Sequence, residues 1–155
     1  MTDETTPVIV EALRTPQGKE DGVFADVRSE DLSIPLVNRI LENTGLTSDE
    51  IDDLMWGCAQ QREEQANNMA RVIALLSDLG ESVPATTINR WCASSMQAVM
   101  SASDAIKAGN RDAVIAGGVE SMTRVKMGGA TQHLHPKLAE MYNIGELQMG
   151  MTAEK

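Results

Sequence analysis

Val83-Pro84-Ala85-Thr86-Thr87-Ile88-Asn89-Arg90-Trp91-Cys92-Ala93-Ser94-Ser95-Met96 is the stretch that decides the fold. Its first six residues, from Val83 to Ile88, read as a short strand. From Ser94 to Ala108 the chain is rich in Ala, Ser and Met and poor in charge, which suits a buried helix. Cys92 stands where the strand hands over to the helix. A cysteine at a helix start meets unpaired backbone N–H groups and the positive end of the helix dipole. That setting favours the reactive thiolate. The same N–H groups can hold an oxyanion once sulfur has attacked a carbonyl. A strand–turn–helix nucleophile is therefore the leading reading, set against the commoner fate of a free cysteine as an inert, buried filler.

Outward from this point, strands and helices alternate. Pro7 to Ala12 reads as a buried strand, and Arg14 to Gly18 as a turn. Between Asp31 and Asn43, Leu32, Leu36, Val37, Ile40 and Leu41 recur at helical spacing, with Pro35 in the first turn and Gly45 as the C-cap. Thr47 to Glu50 has the form of a capping box for a short helix. Asp53 to Cys58 reads as a strand. Asn67 and Asn68 then precede a helix carrying Met69, Val72, Ile73, Leu76 and Leu79 on one face and ending at Gly80. The Cys92 helix stops at Gly109, and Asp112 to Ala116 forms another strand, cut off by Gly117-Gly118. Such alternation implies an α/β fold with a mostly parallel sheet and helices on both faces. From Met122 the pattern changes to an excursion away from the sheet, with a short helix near Lys137 to Tyr142. Met149 to Lys155 reads as the opening of a further helix with no stop signal, so the chain is expected to end within an element.

The chain has 155 residues, 42% of them apolar, which suits one globular domain with its own core. Only 3% are aromatic, against 10 methionines, so the core is built from Ala, Val, Ile, Leu and Met. A net charge of -10 argues against a nucleic-acid surface. With five lysines against eight arginines, the acidic excess leans slightly toward a halophile's composition over that of an ordinary acidic protein. No apolar run is long enough to span a bilayer, and no signal peptide is apparent. Cys58 and Cys92 lie 34 positions apart without metal-ligand spacing, which fits a reduced, cytoplasmic setting.

The remaining motifs favour structural roles. Cys58 reads as a packing residue. His133 and His135 form a solvated loop pair, and no metal site is expected there. Gly117-Gly118 reads as a tight turn requiring positive φ, since the spacing fits no phosphate-binding pattern. Glu120 is expected to hold a loop or an interface. The small residues Ala93, Ser94, Ser95, Ala98, Ser101 and Ala102 let the Cys92 helix approach its neighbours closely.

Taken together, several of these stretches resemble the thiolases, and within them the 3-ketoacyl-CoA thiolases of fatty-acid β-oxidation. Val8 to Pro16 resembles the family's first strand and turn. Val27 to Leu32, Trp56 to Gln61, the nucleophile motif Asn89 to Ser95, the glycine turn Ala116 to Met122 and the loop-domain motif Met149 to Glu154 follow in the family's order. The resemblance implies a thiolase-like N-terminal βαβαβ domain over residues 1–121 and the start of a loop domain over residues 122–155. It implies that Cys92 is the acyl-accepting nucleophile, that its backbone N–H contributes to an oxyanion hole, and that Met149 and Gly150 lie against the acyl pocket. Coenzyme A and acyl-CoA enter as substrates, with no resident cofactor. A complete enzyme of this kind is expected to be a homodimer or tetramer.

The family also uses a second, similar half bearing a Gly-His-Pro histidine, a Cys-x-Gly cysteine and an Asn-containing motif, none of which occurs in this sequence. The expectation is a chain with little or no turnover alone. Its central helix would lack a counterpart, so the chain would self-associate or be completed by another polypeptide. Three alternatives stand beside this reading. They are a ketoacyl-synthase-like condensing enzyme, a Cys–His hydrolase using His133 or His135, and a non-catalytic piece that pairs with a separate C-terminal half.

Overall fold

A computed structural model describes residues 6–127 and 135–154. Its centre is a parallel sheet in the order β2-β1-β3, formed by β1 (Asp53–Gly57), β2 (Ala85–Ile88) and β3 (Val114–Gly118). Helix α2 (Met69–Leu76) connects β1 to β2, and α3 (Ser94–Lys107) connects β2 to β3. Helix α1 (Ser29–Thr44) precedes the sheet. Two short helices, α4 (Pro136–Met141) and α5 (Met149–Ala153), belong to the excursion that follows β3.

Alternation along β1 separates two layers. Leu54, Trp56 and Cys58 point into the main core, where they meet Val37 and Leu41 of α1 and Met69, Ile73 and Ala74 of α2. On this face Ile115 pairs with Leu54, and Gly117 lies beside Trp56. Gly57 and Gly118 face the other way, onto the first turn of α3. The helices therefore cover both faces of the sheet. Asp52 ties β3 to β1 at the opposite end. Its carboxylate accepts the backbone N–H groups of Asp112 at 2.6 Å and Ala113 at 3.1 Å.

Two helix stops fall where glycine chemistry puts them, at Gly45 after α1 and Gly109 after α3, with φ of 72° and 70°, values that L-residues with a Cβ rarely adopt. Helix α2 stops short of Gly80, at Leu76 with Ser77 as its C-cap, and Gly80 (φ 66°) lies in the turn beyond. Asn68 caps α2, its side chain accepting the N–H of Arg71 at 3.2 Å. The Thr47–Glu50 box closes one turn of 3-10 helix, with the Thr47 N–H and hydroxyl both donating to the Glu50 carboxylate at 2.9 Å.

Four details differ from the sequence reading. Pro7 to Ala12 is not a strand. It pairs with none of the three strands, and Ile9 is 81% exposed. Apolar, β-branched residues give a segment the propensity, but a strand exists only where a partner edge pairs its backbone. Helix α1 begins at Ser29, so Pro35 lies in its second turn rather than its first. On the α2 face, Leu76 is exposed and Ala70 and Ala74 are buried in its stead, because the helix ends at Leu76 and Leu79 returns to the core from the following turn. Gly117-Gly118 is the end of β3, not a positive-φ turn. Both glycines are needed for close approach. A Cβ at Gly117 would lie 2.6 Å from the Trp56 ring, and one at Gly118 would lie 2.6 Å from the Gly57 carbonyl oxygen and overlap the Ser95 hydroxyl.

Candidate active site

The carboxyl ends of β1, β2 and β3 open onto a cavity of about 1420 Å3, the position where open parallel sheets place their ligands. Gly57 and Gly118 form its floor, and the segment from Trp91 to Ser95 forms one wall. The facing wall is apolar and contains Met122, Met127, Leu138, Ile144, Leu147 and Met149. This wall comes from the excursion after β3, which here turns back over the sheet ends.

Cys92 stands in this cavity as an exposed thiol. Helix α3 starts at Ser94 with Ala93 as its N-cap, so Cys92 immediately precedes the cap. No side chain caps the helix, although the N–H groups of Ala93 and Ser94 are taken by the Arg90 and Trp91 carbonyls at 3.1 and 3.0 Å. The small side chains here have a visible purpose. A Cβ at Gly57 would come within 2.5 Å of the Ser94 carbonyl carbon, so α3 meets the strand ends backbone to backbone.

Met149 lines the same cavity as Cys92. Gly150, the next residue of α5, is not among the lining residues, and a Cβ there would meet nothing within 4 Å. His135 caps α4, its Nδ1 accepting the N–H of Lys137 at 3.2 Å, and it does not line the cavity. His135 is thus not among the residues that share the cavity with Cys92. His133 lies outside the described residues. Among the described residues, no group of three His, Cys, Asp or Glu side chains is placed to hold a metal ion.

Cys58 is buried and borders the cavity floor. Burial first, and the neighbouring Glu120 carboxylate second, push its thiol up to about 12. It therefore remains protonated, and its S–H donates to Glu120 at 3.8 Å. This agrees with a packing role and disqualifies Cys58 as a second nucleophile.

Sequence reasoning missed the polar network around the Cys92 turn. The Asn89 side chain accepts the N–H of Trp91 at 2.9 Å and donates to the Ala59 carbonyl at 3.0 Å. Ser94 accepts the N–H of Arg90 at 2.8 Å and donates to the Trp91 carbonyl at 2.5 Å. Trp91 has a φ of 49°, an uncommon conformation for so bulky a residue. Glu120 does hold a loop, accepting the N–H groups of Ala59 at 2.8 Å and Gln60 at 3.1 Å. Buried Gln65 backs it, donating to Glu120 at 2.7 Å and accepting from Ser29 and Ser121, each at 2.8 Å. The signal available in the sequence was Asn89, a residue type that bonds the backbone two positions on.

Residues 7–155 match the family model described as "Thiolase, N-terminal domain". Similar curated proteins include the 3-ketoacyl-CoA thiolases of Pectobacterium carotovorum subsp. carotovorum and Aeromonas salmonicida, each 46% identical over 149 residues. That of Pseudoalteromonas atlantica is 44% identical over the same length. In each case the alignment covers 95% of this chain and 38% of the relative. Among solved structures, the Bacillus anthracis acetyl-CoA acetyltransferase superposes with a TM-score of 0.64 at 34% identity, covering 76% of this chain and 31% of that one.

Proposed function

This chain belongs to the thiolase family through its N-terminal domain, and on that premise we propose that it supplies the acyl-accepting part of a 3-ketoacyl-CoA thiolase active site. The sheet domain of residues 1–121 presents Cys92, and residues 122–155 begin the loop domain that covers it. The Cys92 thiolate attacks the 3-keto carbon of a 3-oxoacyl-CoA. The bond between C2 and C3 breaks, and its electron pair leaves with the acetyl-CoA fragment, which then takes a proton. The shortened acyl group stays on sulfur as a thioester. The thiolate of coenzyme A attacks that thioester, releasing shortened acyl-CoA and regenerating Cys92. Run backward, the sequence is a Claisen condensation. Splitting one difficult carbon–carbon cleavage into two acyl transfers is the advantage of a covalent route.

One observation carries this reading. Cys92, the uncapped first turn of α3 and an apolar wall that includes Met149 share a single cavity. The Cys92 backbone N–H, in this reading, supplies an oxyanion donor, and the apolar wall suits an acyl chain. Two free thiols fit a reducing, cytoplasmic setting.

The chain spans 38% of the length of the curated relatives it matches. The base that activates Cys92 and the group that moves the acetyl proton are supplied, in this reading, by a second half carrying Gly-His-Pro and Cys-x-Gly motifs. The complete enzyme is a homo-oligomer. The test is complementation. A polypeptide bearing those motifs is mixed with the chain, and thiolysis of a 3-oxoacyl-CoA is followed. Activity should appear, vanish with Cys92→Ser and survive Cys58→Ser. A stable complex without thiolysis contradicts the proposal and favours a non-catalytic pairing role, which the exposed Met96, Val99 and Met100 on α3 would also serve.

A further inference from the structure

We propose that Glu120 is a positioning residue for Cys92, acting across the sheet through Ala59 and Asn89; this rests on the acyl-accepting role argued above for Cys92. The links are continuous. Glu120, just past β3, accepts the N–H groups of Ala59 and Gln60 in the loop that follows β1, at 2.8 and 3.1 Å. The Ala59 carbonyl accepts from the Asn89 amide at 3.0 Å, at the end of β2. The other end of that amide accepts the Trp91 N–H at 2.9 Å. Trp91 holds the positive φ that turns the chain into Cys92. One carboxylate thus ties the ends of all three strands to the turn that aims the sulfur.

A purely stabilising role fits this network poorly. Asn89 is exposed, and hydrogen bonds in contact with water add little to folding. Glu120 also accepts from the buried Gln65 amide at 2.7 Å and the buried Cys58 S–H at 3.8 Å, so its stabilising share is read separately, by sheet-amide exchange. The hydrogen bonds of the network do fix geometry. The conformation of Trp91 is intrinsically unfavourable and persists only where its surroundings over-determine it. Within the turn, Ser94 clamps Arg90 and Trp91 to the start of α3. The Asn89 link is different in kind, because it refers the turn to β1 and, through Glu120, to the cavity floor. Acyl transfer depends on the placement of sulfur relative to that floor and to the oxyanion donors, and small misplacements cost rate.

Glu120→Gln separates the two roles. An amide presents one acceptor and one donor, so either the Ala59 or the Gln60 N–H meets an N–H group instead of an oxygen. Asn89→Asp is the second variant. It keeps an acceptor for Trp91 but loses the donor to Ala59. Each folded variant is compared with the unaltered chain, both mixed with the polypeptide bearing the Gly-His-Pro and Cys-x-Gly motifs, by mass spectrometry for acylation of Cys92 by acetyl-CoA and for alkylation by iodoacetamide, a small reagent that needs reach but no alignment. Acylation should slow about ten-fold while alkylation stays within about two-fold. By NMR, hydrogen exchange at the Trp91 amide should quicken while the sheet amides of Met55 and Ile115 hold their rates. Equal acylation rates with unchanged Trp91 exchange overturn the inference, as does a parallel loss of acylation and alkylation. If the unaltered chain takes no acyl group, the acyltransferase reading fails instead, and Trp91 exchange alone decides whether Glu120 governs the turn.

Discussion

The two cysteines receive opposite chemistry from positions only a few residues from the same cavity floor. Cys92 is exposed beside a helix start with no side-chain cap, whereas burial first, and the Glu120 carboxylate second, raise the Cys58 thiol to about 12. At pH 8 about one Cys58 in ten thousand is thiolate. Brief iodoacetamide treatment of the folded chain should therefore label Cys92 and spare Cys58, and Cys58→Ser should leave the labelling rate unchanged. Peptide mass analysis checks both, and rapid labelling of Cys58 in the folded protein would contradict the assignment. Asp52 shows a third pattern. The N–H groups of Asp112 and Ala113 hold its carboxyl below the ordinary carboxylate range. The unfolded chain binds a proton there more readily than the folded one. Its stabilising contribution is complete above the ordinary carboxylate value and fades as pH falls through the depressed one. Glu64, lowered chiefly by its hydrogen bond with Arg124, acts in the same direction, whereas Asp53, raised chiefly by burial, acts in the opposite one. Asp52→Asn should flatten the fall in Tm below about pH 4; an unaltered acid limb would show that its two hydrogen bonds add no linkage.

At the scale of elements, close contact between α3 and the strand ends depends on missing side chains. Gly118→Ala forces a methyl group into the Ser95 hydroxyl and the Gly57 carbonyl, so α3 must lift from the sheet. We expect a loss of about 1–3 kcal/mol, seen as a drop in Tm of about 2–12 °C for a chain of this length. Gly45→Ala tests backbone conformation alone, because nothing lies near its Cβ position, and it should cost only about 1 kcal/mol. An equal effect at both sites would refute the packing argument. This contrast also marks what the sequence could convey. The helix stops at Gly45 and Gly109 were legible because a local rule governs them, whereas α2 ends at Leu76, before Gly80. Strands β1, β2 and β3 were legible from short apolar runs between turn signals. Gly117 and Gly118 were misread because their constraint comes from Trp56 and Ser95, which lie far away in sequence. Pro7 to Ala12 was misread for a related reason, since pairing belongs to two segments and only one of them was in view. The place of Cys92 at a strand–turn–helix junction was legible from the short strand before it and the helical run after it. The Glu120–Ala59–Asn89 path was not, as its members come from three separate strand ends.

Over the whole molecule, apolar surface is left uncovered on two sides. Met96, Val99 and Met100 recur at helical spacing on the outer face of α3, and Val8, Ile9 and Val10 form a bare extended run. Among the described residues no helix is long and apolar enough to cross a membrane, so this surface is not that of a spanning helix. Contiguous exposed apolar area of this kind drives association. Light scattering should find the chain alone larger than a monomer at micromolar concentration, and Met96→Glu with Met100→Glu should reduce its size. A monodisperse monomer would argue against an unpartnered α3 face. The proposed chemistry rests on a narrower point, that the sulfur of Cys92 accepts an acyl group. Its most direct measurement is the peptide mass of the chain after incubation with acetyl-CoA in the presence of the polypeptide carrying the Gly-His-Pro and Cys-x-Gly motifs. The account predicts one acetyl group, carried on the Cys92 peptide and absent in Cys92→Ser. A chain that stays unmodified while iodoacetamide still reaches Cys92, or that carries its acetyl group elsewhere, would contradict it.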